Sequence, residues 1–265
     1  MSKTFIAGGC SFTFGHELSD DNKGIVPSKK TWAYGLKQAH PTDHYVCTAY
    51  PGTGNSGIAR RLFTALSANT DIRAVVVMWS FISRYDWAMP RNKLLEKSRW
   101  ASISPWDTET GDLEAIKTLS ESTSQKAQWE KRRKIFEETG VKSFAESIYR
   151  YAANQYHEIY QSWKSIIWLQ NILEKKKIPF MFTLADNSLF YDEFREHKEQ
   201  DNLMKALHSE LDLSKWYFFG PRCMGFNQWA EMEDYPRGTT HPLDEAHQDA
   251  VKLMLPTFNK LIGDK

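Results

Sequence analysis

A serine that follows a short apolar run and two glycines is the first feature of this chain that suggests chemistry. Residues 4–7 (TFIA) are apolar and β-prone, Gly8 and Gly9 break the run, and Ser11 follows Cys10. Glycines at a strand's end let the backbone turn sharply. In an open α/β sheet the C-terminal strand edge is where ligands bind. A hydroxyl there, with a helix N-terminus beside it, is a candidate nucleophile; the same residue also suits an ordinary cap or turn. Such a serine needs a base from another loop on that edge. His241 in TTHPLDEAH, just ahead of the last helical stretch, fits, because Pro242 restricts the backbone there. His16, His40, His44, His157, His197 and His208 lie in polar or helical settings and read as surface histidines. His247, six residues after His241, packs against its loop or assists it.

The elements that must position these two residues alternate along the chain. After the first strand, residues 31–39 read as a short helix and residues 45–50 (YVCTAY) as a second strand. The glycine-rich turn PGTGNSG at 51–57 opens a helix over 58–66, with Asn55 or Ser56 available as its cap. Residues 72–79 (IRAVVVMW) form a near-continuous apolar run, as a strand buried on both faces requires. Further on come an amphipathic helix over 156–177, a strand at 180–184, a helix over 202–211, a strand at 216–219 (WYFF) and a terminal helix over 244–255. This alternation predicts an α/β fold: a three-layer α/β/α sandwich on a parallel sheet of about five strands. Residues 87–150 depart from the pattern, being charged and tryptophan-bearing, with helical stretches at 126–138 and 143–151. With few apolar positions for a core of their own, they read as an insertion or lid within a single domain spanning 1–265. A substrate-selecting cap and a scaffold or oligomer contact are equally open.

Composition excludes several classes. The 265 residues are 41% hydrophobic and 25% charged, with 34 Lys and Arg against 33 Asp and Glu, so no polyanion or acidic membrane is favoured as partner. Arg60-Arg61 and the basic run at 131–133 read as solvated helix faces, giving no strong nucleic-acid signal. Three cysteines, Cys10, Cys47 and Cys223, form no CxxC pair and suggest a reducing, cytoplasmic setting. No apolar stretch approaches the ~18 residues of a membrane span. Gly52, Gly54 and Gly57 do match G-x-G-x-x-G, but after the second strand and without the acidic residue that dinucleotide sites place ~20 residues on. His241 and His247 do not share a helix face as metal ligands would. No cofactor and no metal is expected.

Taken together, Ser11 in GGCSFTFG, Gly52 and Asn55 in PGTGNSG, and His241-Pro242 near the C-terminus resemble the GDSL or SGNH hydrolases, in the same order along the chain. CSFTFG, PGTGN and WSxxSR are similar to phage-encoded members of that superfamily, which would place the protein in a host cytoplasm. The resemblance implies a serine esterase acting on short acyl or acetyl esters of a carbohydrate-like or small-molecule alcohol. It implies Ser11 as nucleophile, His241 as general base, and the backbone N–H groups of Ser11 and Gly52 as oxyanion donors.

Three departures from the family pattern matter. Cys10 stands where an Asp usually precedes the serine. The run after the third strand, Trp79 to Arg84, has no Asn to complete the oxyanion hole, leaving Asn55 or Ser80 to supply that donor. Gly238 stands three residues before His241, where the family has its orienting Asp, so that acid is missing, replaced by a backbone carbonyl, or supplied by a nearby residue such as Asp234 or Asp244. Arg84 either binds an anionic part of a substrate or pairs with Asp86 to brace its loop. With these gaps, a catalytically weak or inactive SGNH-fold binding module is the alternative to an active esterase. The oligomeric state is not legible.

Overall fold

A computed structural model describes residues 2–22, 24–90, 99–119, 123–190 and 202–263. Its centre is a four-stranded parallel sheet, in the order β2-β1-β3-β6, built from β1 (Thr4–Gly8), β2 (His44–Cys47), β3 (Ile72–Trp79) and β6 (Phe180–Leu184). Both faces are covered. Along β1 and β3 the side chains alternate strictly between two cores, as the two-residue period of a strand requires. Ile6, Val75, Val77 and Trp79 point to one side, and Phe5, Ala7, Ala74, Val76 and Met78 to the other. The first core is closed by α3 (Asn55–Ala68) and α7 (Gln155–Lys175), through Ile58, Leu62, Trp163, Ile166 and Leu169. The second is closed by α2 (Trp32–Lys37) and the C-terminal helix α10 (Asp244–Ile262), through Trp32, Leu36, Met254 and Phe258. The continuous apolar run of β3 is thus the mark of a strand with no solvent face.

Two of the sequence-based expectations need correction. Among the described residues the sheet has four strands, against the expected five or so. Residues 216–219 keep strand-like alternation, with Trp216 in one core and Tyr217 and Phe219 in the other. Only one bridge forms, however, between Phe182 and Trp216. The Phe219 N–H turns away to the Met224 carbonyl at 3.0 Å, and Pro221 follows, so the ladder stops after its first pair. The terminal helix also does not end before Pro256. It continues to Ile262 with Met254 and Phe258 fully buried on either side of the proline. Burial of two such side chains, about 1.5–3 kcal/mol each, offsets a proline's cost of about 3 kcal/mol.

Residues 87–150 contain structure that their polarity concealed. β4 (Tyr85–Ala88) and β5 (Trp100–Ile103) pair antiparallel, and α4 (Glu109–Thr118), α5 (Thr123–Thr139) and α6 (Val141–Tyr151) follow. Met89, Ala101, Ile103, Phe136, Val141 and Ala145 form a small core of their own, so apolar positions are sparse but sufficient to order the segment. Arg132 ties it together, donating to Asp107 through Nε at 2.9 Å and Nη2 at 2.8 Å. Further on lie α8 (Asn202–Ser209) and α9 (Phe226–Met232), the latter leading into the loop that carries His241. Among the described residues no helix is long and apolar enough to cross a membrane. Among the described residues Cys10, Cys47 and Cys223 form no disulfide. His197 lies outside the described residues.

Candidate active site

Ser11 opens α1 (Ser11–Phe14), a single helical turn set directly beyond the end of β1. The first N–H groups of any helix lack intrahelical acceptors and point past its N-terminus. Cys10 is the cap residue, and its carbonyl accepts from the N–H groups of Thr13 and Phe14. Its thiol makes no capping bond, so the chain turns here without the Asp that the family pattern has. Ser11 keeps only 5% of its surface exposed.

His241 reaches Ser11 from the loop between α9 and α10. That loop is a tight fold: Gly238 donates to the His241 carbonyl at 2.9 Å, and Arg237 and Pro242 form an isolated bridge. The imidazole is almost fully buried, with Phe12 set edge-on at 4.9 Å between centroids. Its Nε2 lies 2.7 Å from Ser11 Oγ, although the two residues are 230 positions apart in sequence.

The other ring nitrogen decides the chemistry. His241 Nδ1 lies 2.7 Å from Glu17 Oε2. An ionised carboxylate only accepts hydrogen bonds, so Nδ1 carries the proton and Nε2 presents its lone pair to the serine hydroxyl. The same carboxylate accepts from the backbone N–H groups of Thr239 (2.6 Å), Thr240 (2.9 Å) and His241 (3.0 Å), and from Thr240 Oγ1 (3.1 Å). Burial by itself would raise the Glu17 pKa. The hydrogen bonds from His241 and from the Thr240 and Thr239 amides outweigh it and hold the carboxyl well below the usual range. Glu17 also sits at φ +67°, a left-handed conformation that a non-glycine residue adopts only when its surroundings compel it.

Neither expected acid takes this place. Asp234 is exposed in the turn after α9. Asp244 is engaged elsewhere, accepting from the Ser19 amide (3.0 Å), Ser19 Oγ (2.6 Å) and Lys30 Nζ (2.7 Å). Sequence reasoning missed Glu17 because the family spacing directs attention to the residues before His241. The one signal in the sequence was negative: Gly238 stands where an acid was expected.

His16 needs a similar correction. It is no surface histidine but stacks edge-on against His241, with centroids 5.9 Å apart. Burial, and then its proximity to His241, lower its pKa.

The remaining candidates divide. Gly52 sits at φ +76°, where glycine is favoured, and the space a side chain would fill is open. Asn55 is not a free oxyanion donor. Its Oδ1 accepts the Ser80 N–H at 2.7 Å, and its Nδ2 donates to the Ser80 carbonyl (3.1 Å) and to Ser162 Oγ (3.0 Å). The carboxamide is consumed in joining α3, the end of β3 and α7. Nor does Asn55 cap α3; Gly54 does, with Asn55 as the first helical residue. Ser80 is almost fully buried and its hydroxyl accepts from Arg84 Nη1 at 2.8 Å.

Arg84 lies over the Phe81 ring at 4.7 Å and does not pair with Asp86. Asp86 instead accepts from the Gly54 and Gly57 N–H groups (2.9 and 3.1 Å), Thr53 Oγ1 (3.1 Å) and Ser102 Oγ. A carboxylate at a helix N-terminus satisfies donors that would otherwise be orphaned. Here it also fastens the residue-87–150 segment to the glycine-rich turn.

No protein-family model and no curated protein matches the chain. Solved structures that it resembles include the psychrotrophic esterase EstA from Pseudoalteromonas sp. inhibited by monoethylphosphonate, at 11% identity over 99% of this chain and 100% of that one, with a TM-score of 0.48. A carbohydrate acetylesterase family member from Sinorhizobium meliloti is similar at 14% identity over 98% and 99%, with a TM-score of 0.44. A member of the lipolytic protein G-D-S-L family from Veillonella parvula is similar at 14% identity over 97% and 99%, also at 0.44.

Proposed function

We propose that the chain is an SGNH-type serine esterase that removes a short acyl group from a carbohydrate or small-molecule alcohol through an acyl-enzyme on Ser11. The observation that carries this reading is the continuous relay from Ser11 Oγ through His241 to Glu17, two contacts of 2.7 Å. His241 Nε2 takes the Ser11 proton as the oxygen attacks the ester carbonyl, and the imidazolium formed is stabilised by the Glu17 carboxylate at Nδ1. The N–H groups of Ser11 and Gly52 receive the oxyanion, donors of a kind often worth ~3 kcal/mol each in the transition state. On collapse of the tetrahedral intermediate, His241 returns the proton to the leaving alcohol. Water then attacks the acyl carbon as it gives a proton to Nε2, and on collapse His241 returns that proton to Ser11 Oγ as the acid is released. The small exposure of Ser11 favours a short acyl group. The 87–150 segment, joined to the Gly52–Gly57 turn through Asp86, is the natural selector of the alcohol.

The test is hydrolysis of p-nitrophenyl acetate with Ser11→Ala as control, paired with mass detection of a phosphonate adduct on the intact chain. Equal rates for the two proteins, or an adduct on both, would reject Ser11 as nucleophile. The second reading, a weakly active or inactive binding module on the same fold, is favoured by one observation: the Asn55 carboxamide, expected to complete the oxyanion hole, is spent on Ser80 and Ser162. It predicts background rates for both proteins.

A further inference from the structure

Beside the glycine-rich turn, but not lined by Ser11 or His241, lies a cavity of about 140 Å³. One water needs roughly 10–15 Å³ by the same measure, whereas drug-sized ligands occupy pockets of about 300 Å³ and more. The cavity therefore suits one small ring.

Its wall residues are of two kinds, polar and aromatic. Arg84, Glu158, Gln161 and His157 face it with Tyr85 and Trp87. Trp87 is 48% exposed and its ring meets Phe144 edge-on, with centroids 5.3 Å apart. Glu158 Oε1 accepts from Tyr85 Oη at 2.9 Å, while Oε2 has no protein partner among the described residues. The Gln161 carboxamide likewise makes no side-chain hydrogen bond among them. Arg84 has no carboxylate within ion-pair distance among the described residues and keeps donors beyond the one spent on Ser80. Donors, acceptors and aromatic rings thus line the same cavity.

Charge excludes a polyanion. The single guanidinium is opposed by Glu158 and by the buried Asp86, both lining the cavity. An apolar ring would leave these polar groups desolvated without partners, at about 1–3 kcal/mol each. A neutral ring bearing several hydroxyls satisfies both kinds of wall residue, its hydroxyls donating to the carboxylate and amide oxygens and accepting from Arg84, its flatter face resting on the indole.

We propose that this cavity binds a single pyranose-sized sugar ring, the alcohol part of the ester that Ser11 would cleave. The assignment of that ring as substrate rests on the esterase reading above; the binding itself does not.

The experiment uses the full chain carrying Ser11→Ala and saturation-transfer NMR with three probes: methyl β-D-glucopyranoside, glucose 6-phosphate and cyclohexanol. The expected result is saturation of the pyranoside, lost on adding Gln161→Ala or Trp87→Ala. Neither side chain makes a side-chain hydrogen bond within the described protein, and thermal melts confirm that each variant is folded. In the Ser11-intact background, Gln161→Ala should lower the ratio of kcat/KM for an acetylated methyl glucopyranoside to that for p-nitrophenyl acetate by roughly tenfold, the worth of one ligand hydrogen bond. Equal saturation of cyclohexanol, stronger saturation of the phosphate, or pyranoside binding indifferent to both variants overturns the proposal. Pyranoside binding with no ester hydrolysis by the wild type would leave the cavity assigned and reject the esterase.

Discussion

Glu17 and Gly238 divide one space between them: a Cβ on residue 238 would lie 2.7 Å from Glu17 Oε1. The family pattern puts an acid at 238, and here a glycine leaves room for a carboxylate arriving from the loop after α1. Glu17→Gln, which keeps shape but removes charge and favours the wrong tautomer, should lower kcat on the order of 10⁴-fold. Glu17→Ala vacates the space, so Glu17→Ala with Gly238→Asp should hydrolyse p-nitrophenyl acetate faster than Glu17→Ala alone. A double variant no faster than the single one would mean that position 238 cannot present an acid to Nδ1.

Gly52→Ala tests the turn. The added methyl meets open space, so no clash arises, but φ +76° is unfavourable for alanine. Destabilisation of about 1 kcal/mol is expected, together with a fall in kcat as the methyl enters the space that the acyl oxygen would occupy. Unchanged turnover would remove Gly52 from the oxyanion site.

Asp86 joins the residue-87–150 segment to the N-terminus of α3. Burial raises its pKa, and the hydrogen bonds from Ser102, the Gly54 amide and Thr53 offset this only in part. Asp86→Ala would orphan several donors, so a loss of about 2–4 kcal/mol is expected. Esterase activity should fall further than stability alone explains, because the Gly52–Gly57 turn loses its anchor. Denaturant midpoints measured beside kcat would separate the two effects.

Acid should weaken the fold in two stages. His247 is buried against Phe226, and its Nδ1 accepts the Trp32 N–H at 3.2 Å. Burial, and then the neighbouring His241 charge, lower its pKa from 6.5 to about 3. The unfolded chain takes up that proton below pH 6.5 and the folded one does not. The associated stability is therefore complete above pH 6.5 and drains as pH falls toward 3. Glu17 acts lower: its contribution is complete above its ordinary pKa of 4.5 and is lost below it. Each group adds at most about 1.4 kcal/mol per pH unit. Urea midpoints should decline from pH 6.5 and steepen below 4.5, and Glu17→Gln should soften only the lower stage. A flat profile between 6.5 and 4.5 would contradict the His247 assignment.

The sequence by itself determined whatever depends on local periodicity and chain order. The apolar runs of residues 4–7 and 72–79, the helical stripe of residues 156–177 and the glycines after two strands are near-neighbour patterns. They place Ser11 and His241 on one sheet edge without any knowledge of contacts. Tertiary structure decided which side chains meet. The Glu17 contact with His241 spans 224 residues, and that of Asn55 with Ser162 spans 107. No local pattern encodes either. Whether residues 216–219 join the sheet also turned on one N–H choosing Met224 over a ladder partner. Hydrogen-bond partners are allotted by where loops converge in space. Ser11 was therefore legible as a candidate from its own strand and turn, whereas the Glu17 carboxylate against His241 emerged only when the chain had folded.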